Sequence, residues 1–249
     1  MFKSSNKRIS TPIGILIIIL VSLLVSGLVI WQSSLISEKS KISEIKIPEK
    51  VDGNMEIFIP ENWQIIKKTE GDLNKDKLAD VVIVIEQEKQ NLPLEEVAPR
   101  ALLIAFQKNN GSYELSIQSD KAILMANEGG IFGDPLEEIS VDKGSLLIKF
   151  YGGSNWRWQN IYRFRYQDND WYLIGATFTD YHTISGDGII EDYNLLTGKM
   201  KKITGKIVGP EASRVKEEWF DKGLKELLNL KDFDVRSSEE TIKEEATAK

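Results

Sequence analysis

The longest apolar stretch of the chain lies near its start, where residues 13–31 carry no charge. This length is close to the roughly 20 apolar residues that cross a bilayer as a helix. The basic segment 1–12 precedes it, so the positive-inside rule predicts a cytosolic N-terminus. We therefore predict a single-pass membrane anchor at 13–31, then a polar stalk at 32–50, with the bulk of the chain outside the cytoplasm. The alternative is a cleaved signal peptide, which would leave a secreted domain without a tether.

From residue 51 to about 208, the apolar positions follow the pattern of β-strands. Residues 81–85 are apolar at every position, which is typical of a strand buried on both faces. The Asn-Asn-Gly sequence at 109–111 separates two such runs and predicts a hairpin. We expect an all-β domain over 51–230, built as an irregular antiparallel β-sandwich or a partial, propeller-like stack of sheets. Residues 55–60 are predicted as its first short strand.

The clearest alternation of the chain lies at 156–166 and predicts one long strand, which a turn at 167–170 joins to a second strand. One face of the first strand is aromatic, with Trp156, Trp158, Tyr162, Phe164 and Tyr166. We interpret this face first as hydrophobic core. The alternative is that Trp156, Trp158 and Tyr162 form a partly exposed platform for a glycan or a protein ligand.

The end of the chain predicts a C-terminal helix that begins at Pro210. Apolar residues recur after it at helical spacing, namely Val215, Trp219, Phe220, Leu224, Leu227 and Leu228. We expect this helix to dock on the β domain. Residues 231–249 are polar and rich in glutamate, which predicts a disordered tail.

Charge narrows the class of partner. The formal net charge is −6, and removing the three positive charges of residues 1–31 leaves −9 for residues 32–249. An excess of negative charge opposes binding to nucleic acid, which needs basic patches against phosphate. The same excess is compatible with binding divalent cations. The chain contains no cysteine, so no disulfide supports the fold.

The strongest candidate for site chemistry is the stretch 72–80, which we call the 72–80 loop, directly before the apolar residues 81–85. Oxygen-bearing side chains occupy its first, third, fifth and ninth positions, namely Asp72, Asn74, Asp76 and Asp80. The carbonyl of Leu78 is the expected main-chain ligand. Calcium prefers six to eight oxygen ligands, so this spacing predicts a calcium site. The alternative is an Asp/Asn-rich turn without an ion.

The 72–80 loop resembles the Asp-x-Asp-x-Asp-Gly-x-x-Asp calcium loops of FG-GAP and VCBS-type repeats, which occur in integrin alpha-chain β-propellers and bacterial surface proteins. The resemblance covers residues 63–119 and implies one blade-like unit that binds calcium. Lys77 stands where these repeats have glycine. A positive φ at a non-glycine residue costs of order 1 kcal/mol or more, so a lowered affinity is expected. Ile83 stands where an EF-hand has its bidentate glutamate, which argues against a helix–loop–helix site.

No catalytic motif stands out in the sequence. His182 is the only histidine, and without cysteine it gives little basis for a catalytic zinc site. Ser154 does not lie in a Gly-x-Ser-x-Gly nucleophile elbow. We therefore expect a binding or structural module at the cell surface. The rival hypothesis is a hydrolase that acts on envelope material.

Overall fold

Two antiparallel β-sheets form most of the computed structural model, which describes residues 50–51, 55–93, 95–209, 212 and 215–245. All of these residues belong to the unit Ile47–Lys249. The all-β prediction is confirmed at the level of fold class. The predicted segments 1–12 and 13–31, and the stalk up to residue 49, lie outside the described residues. Within the described part of the chain, no helix is both long and apolar enough to cross a membrane.

The first sheet contains β1 (Lys50–Val51), β2 (Trp63–Gly71), β3 (Asp80–Gln87), β4 (Arg100–Gln107) and β5 (Tyr113–Ser119). Their spatial order is β1-β5-β4-β3-β2, so β2 to β5 form an antiparallel meander. The apolar strands β3 and β4 are buried along nearly their whole length. This confirms the prediction for residues 81–85. The predicted turn at 109–111 connects β4 to β5.

The second sheet contains β6 (Leu136–Asp142), β7 (Ser145–Gly153), β8 (Trp156–Gln167), β9 (Asp170–His182), β10 (Asp187–Asn194), β11 (Lys199–Lys206) and β12 (Val215–Asp221). The strands follow one another in space as they do in sequence. The long hairpin of β8 and β9 is the one predicted from the alternating pattern. Its turn residues Asp168 and Asn169 have φ angles of 53° and 62°. Asp and Asn tolerate this left-handed conformation, which tight hairpin turns require.

The two sheets share one hydrophobic core. Val82 and Val84 of β3 enter it from the first sheet, and Tyr162 and Phe164 of β8 from the second. Trp171 of β9 is 1% exposed. Its Nε1 donates a hydrogen bond to Ser116 Oγ of β5 at 2.9 Å, which satisfies the buried indole and joins the sheets.

The C-terminal helix is present, but it lies later in the chain than predicted. Helix α1 spans Val235–Glu245 and buries Val235, Ser238 and Ile242 on one face. The Ser238 Oγ and Tyr162 OH atoms are 2.9 Å apart, so α1 packs on the core side of β8. The predicted disordered tail was therefore wrong at these residues. Three buried side chains at helical spacing stabilise α1 despite its polar composition.

Two other predicted elements differ in the structure. The residues expected in a helix after Pro210 include β12, which pairs with β11 and places Phe220 opposite Met200. Pairing with the open edge of a sheet outweighs the helical spacing of a few apolar residues. The residues predicted as the first strand contain a short 3₁₀ helix, Met55–Phe58, which buries Phe58. A single tight turn is sufficient to bring this ring into the interior.

Candidate functional site

The 72–80 loop connects β2 to β3 and begins in a crowded position. Gly71 and Asp80 are opposite each other where the two strands meet the loop. A Cβ atom at Gly71 would lie 2.7 Å from Val141 Cγ1 of β6. Because glycine has no side chain, β2 can end in contact with the second sheet. This contact fixes the position at which the loop starts.

Asp72 organises the first half of the loop. Its Oδ1 accepts a hydrogen bond from Lys75 N at 2.7 Å, and its Oδ2 accepts one from Lys77 N at 3.0 Å. Lys75 and Lys77 have φ angles of 70° and 73°. This left-handed conformation costs a non-glycine residue about 1 kcal/mol or more, which the two bonds to Asp72 help to offset. Lys77 thus adopts a left-handed conformation at the position where the similar repeats have glycine.

Asn74 and Asp76 lie in direct contact in the second half of the loop. Asn74 Nδ2 donates to Asp76 Oδ2 at 3.0 Å, and Asn74 Oδ1 accepts from Asp76 N at 3.0 Å. Asp76 Oδ1 accepts from Leu78 N at 2.8 Å. Carboxylate and amide oxygens each have two lone pairs, so these bonds leave capacity to coordinate a cation.

Asp80 has a different environment from the other loop side chains. It is fully buried, at 0% exposure. Its Oδ2 accepts from Leu73 N at 2.8 Å and Asn74 N at 3.3 Å, and its Oδ1 accepts from Gln107 N at 3.1 Å. Burial raises the pKa of Asp80, and the three backbone hydrogen bonds oppose part of that rise. Asp80 therefore ties the loop to strand β4.

The loop contains the types of oxygen donor that calcium accepts. Asp72 and Asp76 supply two carboxylates, while Asn74 and the Leu78 carbonyl supply neutral oxygens of the kind calcium accepts. Asp80 is already engaged by three amides, which makes it a poorer ligand than its position suggests. Among the described residues, no group of three or more Asp, Glu, His or Cys side chains is arranged to hold a metal ion. Calcium at this loop therefore stays a prediction.

The aromatic side chains on one face of β8 become more exposed toward the start of the strand. Tyr162 and Phe164 are fully buried, whereas Trp156 is 60% exposed and Trp158 is partly buried against the core. Burial raises the pKa of Tyr162 to about 12, as expected for a phenol in the core. The core interpretation thus holds for Tyr162, which cannot belong to an exposed platform. Trp156 and Trp158 extend the same face toward solvent.

Trp158 lies in an open cleft of about 410 Å³ between the second sheet and α1. Asp180 of β9 is opposite Trp158 in the strand register and also lines this cleft. Asn160 continues the β8 side, and Glu239 lines the α1 side. The structure therefore brings together an indole, an amide, three carboxylates and a guanidinium, those of Trp158, Asn160, Asp180, Glu239, Glu128 and Arg236. Of these residues, only Trp158 belongs to those predicted as a ligand platform.

Sequence reasoning missed Asp180 and Glu239. Asp180 follows Ala176 and Phe178 on the inward face of β9, and a carboxylate on an apolar face is a signal that could have identified it. Glu239 had no such signal, because its segment was expected to be disordered. His182 packs its ring against Trp156, with 5.2 Å between ring centroids, at the outer end of the same face.

Comparison with known protein families, with curated proteins and with solved structures found no match. The functional argument therefore depends on the chemistry of the 72–80 loop and of the cleft beside Trp158.

Proposed function

We propose that this chain is a membrane-anchored, extracytoplasmic β domain that acts as a binding or structural module at the cell surface, with calcium bound in the 72–80 loop. The observation that carries the proposal is the conformation of the loop. Lys77 has a φ of 73° where the similar repeats have glycine. A local strain of this kind persists only where the surrounding structure requires it, and it is common at ligand sites.

The position of the loop gives calcium a structural consequence. The loop is bonded to β4 through Asp80 and Gln107, at 3.1 Å. An ion held by Asp72 and Asp76 would reduce the repulsion between their carboxylates and stabilise the connection of β2 to β3. Calcium bound in this way acts on the stability of the first sheet. The meander of β2 to β5 supports the likeness to one blade-like unit.

The chemistry of the cleft favours a binding module over the rival hydrolase. Acid–base hydrolysis of glycosides generally uses two carboxylates in distinct roles. Glu239 Oε1 accepts a hydrogen bond from Lys243 Nζ at 2.7 Å, so this carboxylate is already ion-paired. Asp180 is then the one carboxylate of the pair that is available to a ligand.

The membrane part of the proposal is tested by fractionation of cells that produce the full-length chain. We expect the protein to remain in the membrane pellet after an alkaline carbonate wash, because the apolar stretch 13–31 would span the bilayer. Protease added to intact spheroplasts should digest the β domain, because it is expected outside the cytoplasm. A soluble, shortened form that lacks residues 13–31 would contradict the anchor and support the secreted alternative.

A further inference from the structure

The cleft beside Trp158 has apolar walls. Leu124 and Val235 line it together with the Trp158 indole. The indole lies over Gly152 of β7, where a Cβ atom would come within 2.5 Å of the ring. Glycine at this position therefore seats the ring against the backbone. Walls of this kind fit a chain of methylene groups, which gain stability when removed from water.

Most polar groups that line the cleft already have partners. Arg236 binds Glu128 through two hydrogen bonds, of 2.8 and 2.7 Å. Asn160 Nδ2 donates to Glu239 Oε2 at 3.4 Å, and Lys243 binds the other oxygen of Glu239. Such bidentate and charge-assisted pairs satisfy the charges they contain. These groups define the shape of the cleft and offer little to a ligand.

Asp180 is the exception among the charged groups that line the cleft. Its carboxylate forms no hydrogen bond or ion pair with any residue that the structure describes. Burial raises the pKa of Asp180, and the charge of Glu239 raises it further, while Lys243 lowers it. An ionised carboxylate that is partly removed from water gains most from a cation or a strong donor beside it.

The charges around Asp180 also favour a cationic ligand. Two further carboxylates act on Asp180, those of Glu191 in β10 and Glu239 in α1, which makes a group of three. Two lysines face them, because Lys243 lies 3.1 Å from Glu191 and 2.7 Å from Glu239, and Lys202 lies 3.3 Å from Glu191. One negative charge is therefore uncompensated. Asp180 is the carboxylate without a lysine.

We propose that this cleft binds an alkylammonium group, with its methylene stem against Trp158, Leu124 and Val235 and its charge at Asp180. The group would be a lysine side chain of a partner protein or a free aliphatic diamine. This inference rests on the proposed role as a binding module and gives that module a ligand class. It does not depend on calcium, because the 72–80 loop contributes no residue to the cleft.

An ammonium group fits the cleft better than a sugar does. Sugar hydroxyls act as donors and acceptors, and they are best held by a mixture of free polar groups. Here the free charged group is a single carboxylate, that of Asp180, which only accepts. An ammonium group only donates, and an adjacent indole face attracts a cation.

The test is isothermal titration calorimetry of the full-length chain with Nα-acetyl-lysine amide and with 1,5-diaminopentane. Nα-acetyl-norleucine amide serves as the uncharged analogue, and the trimer of N-acetylglucosamine as the sugar probe. We expect saturable binding of at least one amine. The Kd should be about tenfold or more higher for the norleucine analogue and for the Asp180→Asn variant, since hydrogen bonds to charged groups are worth more than this factor requires.

Asp192→Asn is the matched control, because it makes the same change of charge on the outer face of the same sheet, where Asp192 bonds Thr177. It should bind the amine like the wild type.

Preference for acetyl-lysine amide supports a protein partner, and preference for the diamine supports a free amine. Equal binding of the norleucine analogue, unchanged binding by Asp180→Asn, or binding of the sugar probe alone would overturn the inference. The response to calcium should be measured on the same sample. If calcium stabilises the chain but no amine binds, the inference about the cleft is wrong and the proposed function is not affected.

Discussion

The substitution Asp80→Asn tests whether the buried end of the 72–80 loop holds the first sheet together. It keeps the size of the side chain but changes one of its two acceptor atoms into a donor. In the wild-type chain, one oxygen accepts from Leu73 and Asn74, and the other accepts from Gln107. We expect the amide oxygen to keep the first two bonds, so the N–H of Gln107 then faces an NH₂ group.

The structure allows the magnitude to be worked out. Asp80 is 0% exposed, so water cannot replace the lost acceptor. A buried polar group without a partner costs about 1–3 kcal/mol, and this is the expected decrease in the free energy of unfolding. Loss of the negative charge weakens the two remaining bonds, but it also relieves the cost of burying a carboxylate whose pKa is raised by burial, so we expect the middle of this range. Asp76→Asn is the matched control in the exposed part of the loop and should change the free energy by less than about 0.5 kcal/mol in chelator.

The assay is urea unfolding of the full-length chain, followed by circular dichroism in the presence of a chelator. Equal m-values for the variants would show that the denaturation midpoints can be compared directly. If Asp80→Asn is as stable as Asp76→Asn within about 0.5 kcal/mol, the three backbone bonds do not hold the loop and this account of Asp80 is wrong.

Further predictions concern the second sheet and the ion pair of Arg100 with Asp134. Trp158→Ala should reduce the free energy of unfolding by roughly half of the ~3–5 kcal/mol typical of a fully buried tryptophan, because the ring is only partly buried. An unchanged urea midpoint would show that the ring packs loosely. Tyr162→Phe should cost about 0.5–1.5 kcal/mol by removing the 2.9 Å contact with Ser238, and no change in the same assay would contradict that contact. Burial would raise the pKa of Asp134, but hydrogen bonds from Arg100 lower it below the ordinary value. The resulting stabilisation is complete above the unfolded pKa of about 3.9 and is lost as pH falls through the lower folded pKa, so an Asp134→Asn variant should show a smaller loss of unfolding free energy between pH 5 and pH 2.

Elements with strong local signals could be predicted from the sequence. The β8–β9 hairpin follows from aromatic residues at alternate positions and from a turn that Asp168 and Asn169 can adopt. Strand β3 follows from a continuous apolar run. In each case the side-chain pattern and the backbone requirement agree, which is the condition under which local reasoning succeeds.

Elements that depend on distant partners could not be predicted. Strand β12 does not alternate cleanly, and it forms because the edge of β11 is available. Helix α1 is largely polar, and the core surface that receives Val235 and Ile242 is built by remote strands. The cleft is an extreme case, because Asp180 and Glu239 come together only once α1 has packed on the second sheet. The 72–80 loop is the opposite case. It could be identified from the sequence because all of its candidate ligands fall within nine consecutive residues.

The most direct test of calcium binding is thermal unfolding of the full-length chain in millimolar calcium, in chelator and in millimolar magnesium. A ligand that binds only the folded state stabilises it by RT ln(1 + [L]/Kd), which is about 1.4 kcal/mol at a tenfold excess over Kd. We expect calcium to raise the melting temperature and magnesium to raise it less, because magnesium demands a smaller octahedral shell. Asp76→Ala should abolish the calcium increment with little effect in chelator. Identical melting in calcium and chelator, with no heat of binding at millimolar calcium, would contradict the account and make the 72–80 loop a turn without an ion.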